Sequence, residues 1–237
     1  MTSRVSAIRG DTPAIVVVPH GHPSDDTNTD IIGLQIIREI DCFGVINYGW
    51  ERADKFDYYK DKANCNNIKH LSEDVIFQEF LEPILRFSKI IENSGFIPNI
   101  FIIHGVSNDV QRGLKDPPEI ILGTGNGNPP AWSCEQWVRD GFAALLKTHG
   151  TSVYLGKSGG KYSGRDPNNL NQLFNTKYGN YTSAQSIQLE IVRNLRSSKD
   201  KSKMTGDIIA MCIEDIIEAQ QSWEKWTSTN FGTYKEI

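Results

Sequence analysis

Between Ile15 and Gly33 the chain reads IVVVPHGHPSDDTNTDIIG, and this stretch limits the fold more firmly than any other. A short β-branched apolar run, stopped at Pro19, is the pattern of a buried strand. Thr27, Asn28 and Thr29 are N-cap candidates for a helix carrying Ile31, Ile32, Leu34, Ile36 and Ile37. A strand followed so closely by a helix is the start of a layered α/β unit. Between the two elements the chain sets His20, His22, Asp25 and Asp26, metal-binding residue types at a strand end. In open α/β folds ligands bind above the carboxyl ends of the strands.

The rest of the chain repeats this alternation. FGVINY predicts a strand over Phe43–Tyr48, and a polar, aromatic excursion, GWERADKFDYYKDKANCNN, comes after it. A helix is expected from Ser72, as cap, through Val75, Phe77, Phe80, Leu81, Ile84, Leu85 and Ile91 to a stop at Gly95. PNIFIIHGVSND then repeats the opening, an apolar strand that ends in His104 and a glycine. Further strands are expected at Glu119–Gly123 and in TSVYLG, with a helix between them that starts at Ser133, where Ser133 and Gln136 suit a capping box. SIQLEI, Ser186–Ile191, alternates with period two, so Ser186, Gln188 and Glu190 share one face and Ile187, Leu189 and Ile191 the other. A last helix is expected from about Asp207 to Trp226. The whole predicts one α/β domain over residues 1–237, with a mostly parallel mixed sheet flanked by helices.

Composition narrows the function by exclusion. The formal charge of −4, with scattered Lys and Arg, gives no footprint for nucleic acid. No apolar run approaches the roughly 20 residues of a membrane span. MTSRVSAIRG lacks the apolar segment of a secretory signal, so a cytoplasmic protein is expected. Cys42, Cys65, Cys134 and Cys212 are far apart, without a CxxC pair, and read as free, buried thiols.

A hydrolytic zinc site takes about three His and carboxylate ligands and leaves a position for water. His20 with Asp25, completed by the distant strand-end His104, meets that need; His22 and Asp26 are alternates or neighbours that orient a ligand. Either histidine alone would read as structural, but each follows an apolar strand and precedes a glycine. Glu190, a carboxylate inside an alternating strand, is expected to meet a cation or to act as a base beside a metal. His70 and His149 lie beside helix ends in polar company and read as surface residues. GTGNGNPP misses the dinucleotide-loop spacing, and Pro129 and Pro130 remove amide donors; GKSGGK lacks P-loop order. Lys157, Lys161 and Arg165 suit a substrate loop that receives a carboxylate.

Taken in order, these motifs resemble the N-formylglutamate amidohydrolase family, itself related to zinc carboxypeptidases, aspartoacylases and poly-γ-glutamate hydrolases. VPHGH is similar to the family's opening strand and histidine, and a carboxylate five residues after the histidine falls on Asp25. FIIHG resembles the second metal-histidine strand. SGGKY followed by KYGNYTSAQSIQLEIVRNLR resembles the glycine-rich segment and Q-x-E strand whose glutamate, the general base, falls on Glu190. Where the family has Asp-x-Asn-Arg, this chain has Asn64, Cys65, Asn66 and Asn67. Asn66 is left to contact substrate, and Arg52, Arg112, Arg165 or Arg193 would have to supply the guanidinium missing at Asn67. The resemblance implies a phosphorylase/hydrolase-like, zinc carboxypeptidase-like fold and one zinc ion. It also implies hydrolysis of the amide of a small acid, such as an N-formyl or N-acyl amino acid, with Asn66, Arg112, Lys161 and Arg165 toward substrate. Hydrolysis of poly-γ-glutamate or of a peptide terminus is the alternative; a catalytically silent binding protein is the reading that the lost arginine motivates.

Overall fold

The computed structural model describes residues 4–109, 117–125, 132–156, 160, 162–174 and 184–231. Seven strands form one sheet: β1 (Val5–Ile8), β2 (Thr12–Val18), β3 (Cys42–Asn47), β4 (Asn99–Val106), β5 (Ile120–Gly123), β6 (Val153–Leu155) and β7 (Gln185–Val192), in the order β1-β3-β2-β4-β7-β5-β6. β3, β2, β4 and β7 run parallel; β1 is antiparallel to β3, and β5, with β6 parallel to it, is antiparallel to β7. The sheet is therefore mixed around a parallel centre, as the alternation of strands and helices predicts.

Central strands buried on both faces need apolar residues at nearly every position, and β2 and β4 have them. One set of their side chains, with Val16, Val18, Phe101, Ile103, Ile187, Leu189 and Ile191, packs under three helices: α1 (Thr29–Ile40), α5 (Gln136–Thr148) and α7 (Lys199–Phe231). Gly33 lets α1 lie close on the sheet, since a Cβ there would come within 2.5 Å of the Val18 side chain. The other set, with Ile15, Val17, Ile100 and Ile102, packs under Trp50, Phe80, Ile84 and Phe87. That second layer comprises α2 (Ile68–Leu71), α3 (Asp74–Ile76), a π-helical turn at Phe77–Leu81 and α4 (Glu82–Asn93). The short α6 (Leu170–Leu173) lies against β7.

Several boundaries differ from the sequence expectation for physical reasons. The helix expected from Ser72 is two α-helical pieces, α3 and α4, on either side of a π turn, and Ser72 Oγ donates to the Ile68 and Lys69 carbonyls at the end of α2 instead of capping α3. Ser133 does not cap α5, which begins at Gln136; its hydroxyl donates instead to the Ser186 carbonyl on β7. α7 starts eight residues before Asp207, and β1 has no counterpart in the sequence expectation. No described helix is long and apolar enough to cross a membrane.

Candidate active site

The site begins with the way β2 and β3 end. Asn47, the last residue of β3, donates from Nδ2 to the carbonyls of Pro19 and Trp50 and accepts the Trp50 amide, so one buried amide side chain holds both exits from the sheet. Beyond Pro19 the chain turns tightly: the Asp26 amide donates to the His20 carbonyl and the Thr29 amide to the Asp26 carbonyl. This turn swings the Asp26 side chain inward, where Oδ2 accepts the Gly105 amide at 3.0 Å, beside His104 on β4.

His20, Asp26 and His104 are all buried and converge. Asp26 Oδ2 lies 3.4 Å from His20 Nδ1 and 3.5 Å from His104 Nδ1, and the two rings meet edge to face with centroids 5.0 Å apart. Burial alone would raise the Asp26 carboxyl, but its interactions with His104 and His20 outweigh burial and hold it well below the usual carboxylate range. Desolvation lowers the proton affinity of His104. An ionised carboxylate and a neutral imidazole are the forms that bind metal.

The surroundings of His20 fix its tautomer. His20 Nε2 lies 3.0 Å from Asn64 Oδ1, which also accepts the Asn66 amide at 3.0 Å. The bond from the Asn66 amide identifies the facing atom as the amide oxygen, which has no proton to donate, so Nε2 carries the proton and Nδ1 keeps its lone pair toward Asp26. Such an outer partner is what a metal-binding histidine needs. Two ligands at about 2.0–2.1 Å on one tetrahedral ion stand about 3.3–3.4 Å apart, close to the two Nδ1–Oδ2 separations. The donor set therefore fits a zinc-sized ion.

Glu190 stands beside this cluster, in register with His104 across β4 and β7. Its Oε1 accepts from Gln188 Nε2 at 2.7 Å, and Gln188 Oε1 accepts from Asn169 Nδ2 at 3.0 Å. A cavity of about 430 Å³ opens over the group; its lining includes Arg52, Asn64, Asn66, Tyr162, Asn169 and Gln188 as well as the converging residues and Glu190. Arg52 Nη1 is 3.6 Å from Asp26 Oδ1. Asn66 Oδ1 is buried on this wall without a hydrogen-bond partner.

Of the residues singled out from the sequence, His20, His104, Glu190, Asn66, Asp26 and Arg52 meet at this cavity. Asp25, expected as the ligand, is directed elsewhere: its Oδ2 accepts the Arg52 amide at 2.7 Å. Turn geometry separates the two aspartates, since the bond from the Asp26 amide to the His20 carbonyl points the second, not the first, at the histidines. His22 pairs with Ser24 through Nδ1 at 2.8 Å, away from the cluster. Arg165 is exposed and lines a neighbouring cavity of about 460 Å³ with Ser163 and Asp166. Arg193 is exposed, while Lys157, Arg112 and Lys161 lie outside the described residues. His70 is buried, not superficial, and its Nδ1 accepts the Asn64 amide at 2.8 Å, which supports the partner of His20. Asn64, Gln188 and Asn169 join the site without having been expected there; Asn64 stands where the resembled family has the first residue of Asp-x-Asn-Arg, Gln188 shares a face with Glu190, and Asn169 has no signal in the sequence.

No family model matches the sequence, and no curated protein does. Solved structures match along nearly the whole chain. A gene product of Agrobacterium tumefaciens superposes with a TM-score of 0.62 at 10% identity, covering 92% of this chain and 96% of its own. An N-formylglutamate amidohydrolase from Ralstonia eutropha gives 0.58 at 13% identity, with 92% and 98% covered. A bacteriophage poly-γ-glutamate hydrolase gives 0.52 at 15% identity, with 94% and 89% covered. The chain thus has the fold of the N-formylglutamate amidohydrolases and their carboxypeptidase-like relatives, the group that its motifs resemble.

Proposed function

We propose that this chain is a zinc-dependent amidohydrolase that cleaves the amide of a small acid, such as an N-formyl or N-acyl amino acid. The observation that carries the reading is the convergence of His20 Nδ1, His104 Nδ1 and Asp26 Oδ2, with Glu190 alongside in register. His20, Asp26 and His104 would hold one zinc ion. When bound, zinc supplies Lewis acidity toward a carbonyl and makes water a stronger acid.

Glu190, in register with His104, would take a proton from water and return it to the departing nitrogen. The bond that Gln188 donates to Oε1 orients the carboxylate for this task. Arg52, whose guanidinium lines the cavity, substitutes for the arginine absent at Asn67 and meets the developing oxyanion or the acid's own carboxylate. Asn66 Oδ1, a buried acceptor without a partner, suits an N–H of the substrate. A cavity of about 430 Å³ accommodates a small acyl amino acid.

The test is metal analysis of the purified protein followed by a screen of N-acyl and γ-glutamyl amides. One zinc per chain and turnover of small N-acyl amino acids are expected. Preference for long γ-glutamyl chains would move the substrate to the polymer, and failure to take up zinc would favour a silent binding protein.

A further inference from the structure

Arg196, in the turn that follows β7, is buried, and its guanidinium makes three bonds to backbone carbonyls. Nη1 donates to Thr27 O at 2.7 Å, Nη2 to Val106 O at 3.1 Å and Nε to Ile191 O at 3.1 Å. Those carbonyls belong to three separate segments. Thr27 follows Asp26, Val106 lies two residues beyond His104, and Ile191 follows Glu190. One planar group, with donors in a fixed fork, therefore joins the stretches that carry the carboxylate, the second histidine and the base.

Two more observations set this arrangement apart from an ordinary buried arginine. A Cβ on Gly105 would lie 2.4 Å from Arg196 Cζ, so the residue whose amide binds Asp26 has no side chain where the guanidinium packs. The backbone of Arg196 is held in turn, because Asn28 Nδ2 donates to its carbonyl at 2.8 Å. Asn28 adopts φ 65°, a left-handed conformation open mainly to glycine and asparagine, at the start of α1.

We infer that Arg196 is a positioning residue of the active site, a clamp that sets Asp26, His104 and Glu190 at their mutual distances without touching metal or substrate. The inference rests on the zinc reading of the cluster. A merely structural arginine would affect the melting temperature, whereas a clamp also alters how the cluster binds an ion. Arg196→Lys keeps the charge but cannot span three carbonyls, and Gly105→Ala displaces the guanidinium while leaving Arg196 in the sequence.

Both variants are to be compared with the wild-type protein by chelator competition for zinc, by the visible spectrum of the cobalt-substituted protein and by thermal melting. Each folded variant is expected to bind zinc about 10- to 100-fold more weakly, the usual effect of losing a residue that orients metal ligands, and to show a shifted cobalt spectrum. Arg196→Ala, should it fold, is expected to recover part of its zinc affinity in millimolar guanidinium. Variants that melt earlier yet keep wild-type zinc affinity and the wild-type cobalt spectrum would overturn the clamp alone. A wild-type protein that takes up neither ion would overturn the zinc reading and the clamp with it.

Discussion

His104 and Glu190 are paired residue to residue across the parallel strands β4 and β7, both nearly sealed from solvent. That register sets the proposed base beside a proposed metal-binding histidine through the hydrogen bonds of the sheet. Replacing Glu190 by Gln keeps shape and size and removes only the proton acceptor. Turnover is expected to fall by roughly 10²–10⁴, the usual contribution of a positioned base, with zinc content unchanged. Full turnover by Glu190→Gln would show that another group takes the proton.

The two neighbouring aspartates separate cleanly. Asp26→Asn weakens the charged ligand and is expected to abolish stoichiometric zinc, whereas Asp25→Ala retains the ion, since Asp25 holds the Arg52 amide and not the cluster. Metal analysis after dialysis reads the difference. The reverse pattern would mean that the turn rearranges around the ion.

Asn64 has a narrower role. Asn64→Ala removes the oxygen that accepts from His20 Nε2, but the backbone bond from residue 64 to His70 survives. Zinc affinity is expected to drop about 10- to 100-fold, as for other partners of ligand histidines, measured by competition with a chromogenic chelator.

Arg52 is the guanidinium on the cavity wall among the described residues. Arg52→Ala is expected to lower kcat/KM by about 10², in line with loss of one donor to a developing oxyanion, while zinc binding persists. A neutral substrate analogue should lose less than the acid if Arg52 meets the carboxylate, which a comparison of the two kcat/KM ratios would reveal.

The cysteines make a separate prediction. Burial pushes the thiols of Cys42, Cys134 and Cys212 up to about 12, and raises that of Cys65 further. Thiolate is the reactive form, so the folded protein is expected to resist iodoacetamide at pH 8, and all four cysteines to react once it is denatured. Mass spectrometry of the treated protein would expose any thiol that labels in the folded state.

The legible part of the fold is the part that short-range pattern encodes. β-branched runs and a helical period locate β3 and the start of α1 to within about a residue, while β2 begins three residues before Ile15 and β4 runs two beyond His104; period two assigns the faces of β7, with Ile187, Leu189 and Ile191 in one core and Glu190 on the opposite side. His104 and Glu190 could be named because each ends or interrupts such a pattern. The choice between Asp25 and Asp26 depended on one turn hydrogen bond, and adjacent residues of like type leave no periodic trace of it. His70, buried within α2 and bonded to the Asn64 amide, and Ser133, taken up by β7, differ from expectation because specific hydrogen-bond partners outweigh local polarity. Arg196 left no signal, since its three acceptors are backbone carbonyls that any residue could supply.

The placement of β7 also bears on how the molecule is made. It is the final strand among the described residues, yet it lies between β4 and β5, so without it the sheet falls into two parts, β1-β3-β2-β4 and β5-β6. During synthesis both parts present open hydrogen-bonding edges until residue 192 has emerged, and unpaired edges invite misassociation. Joining them is a long-range contact of the kind that slows folding. The strand that closes the sheet also delivers Glu190, so a nascent chain sets that carboxylate beside His104 only on completing its sheet.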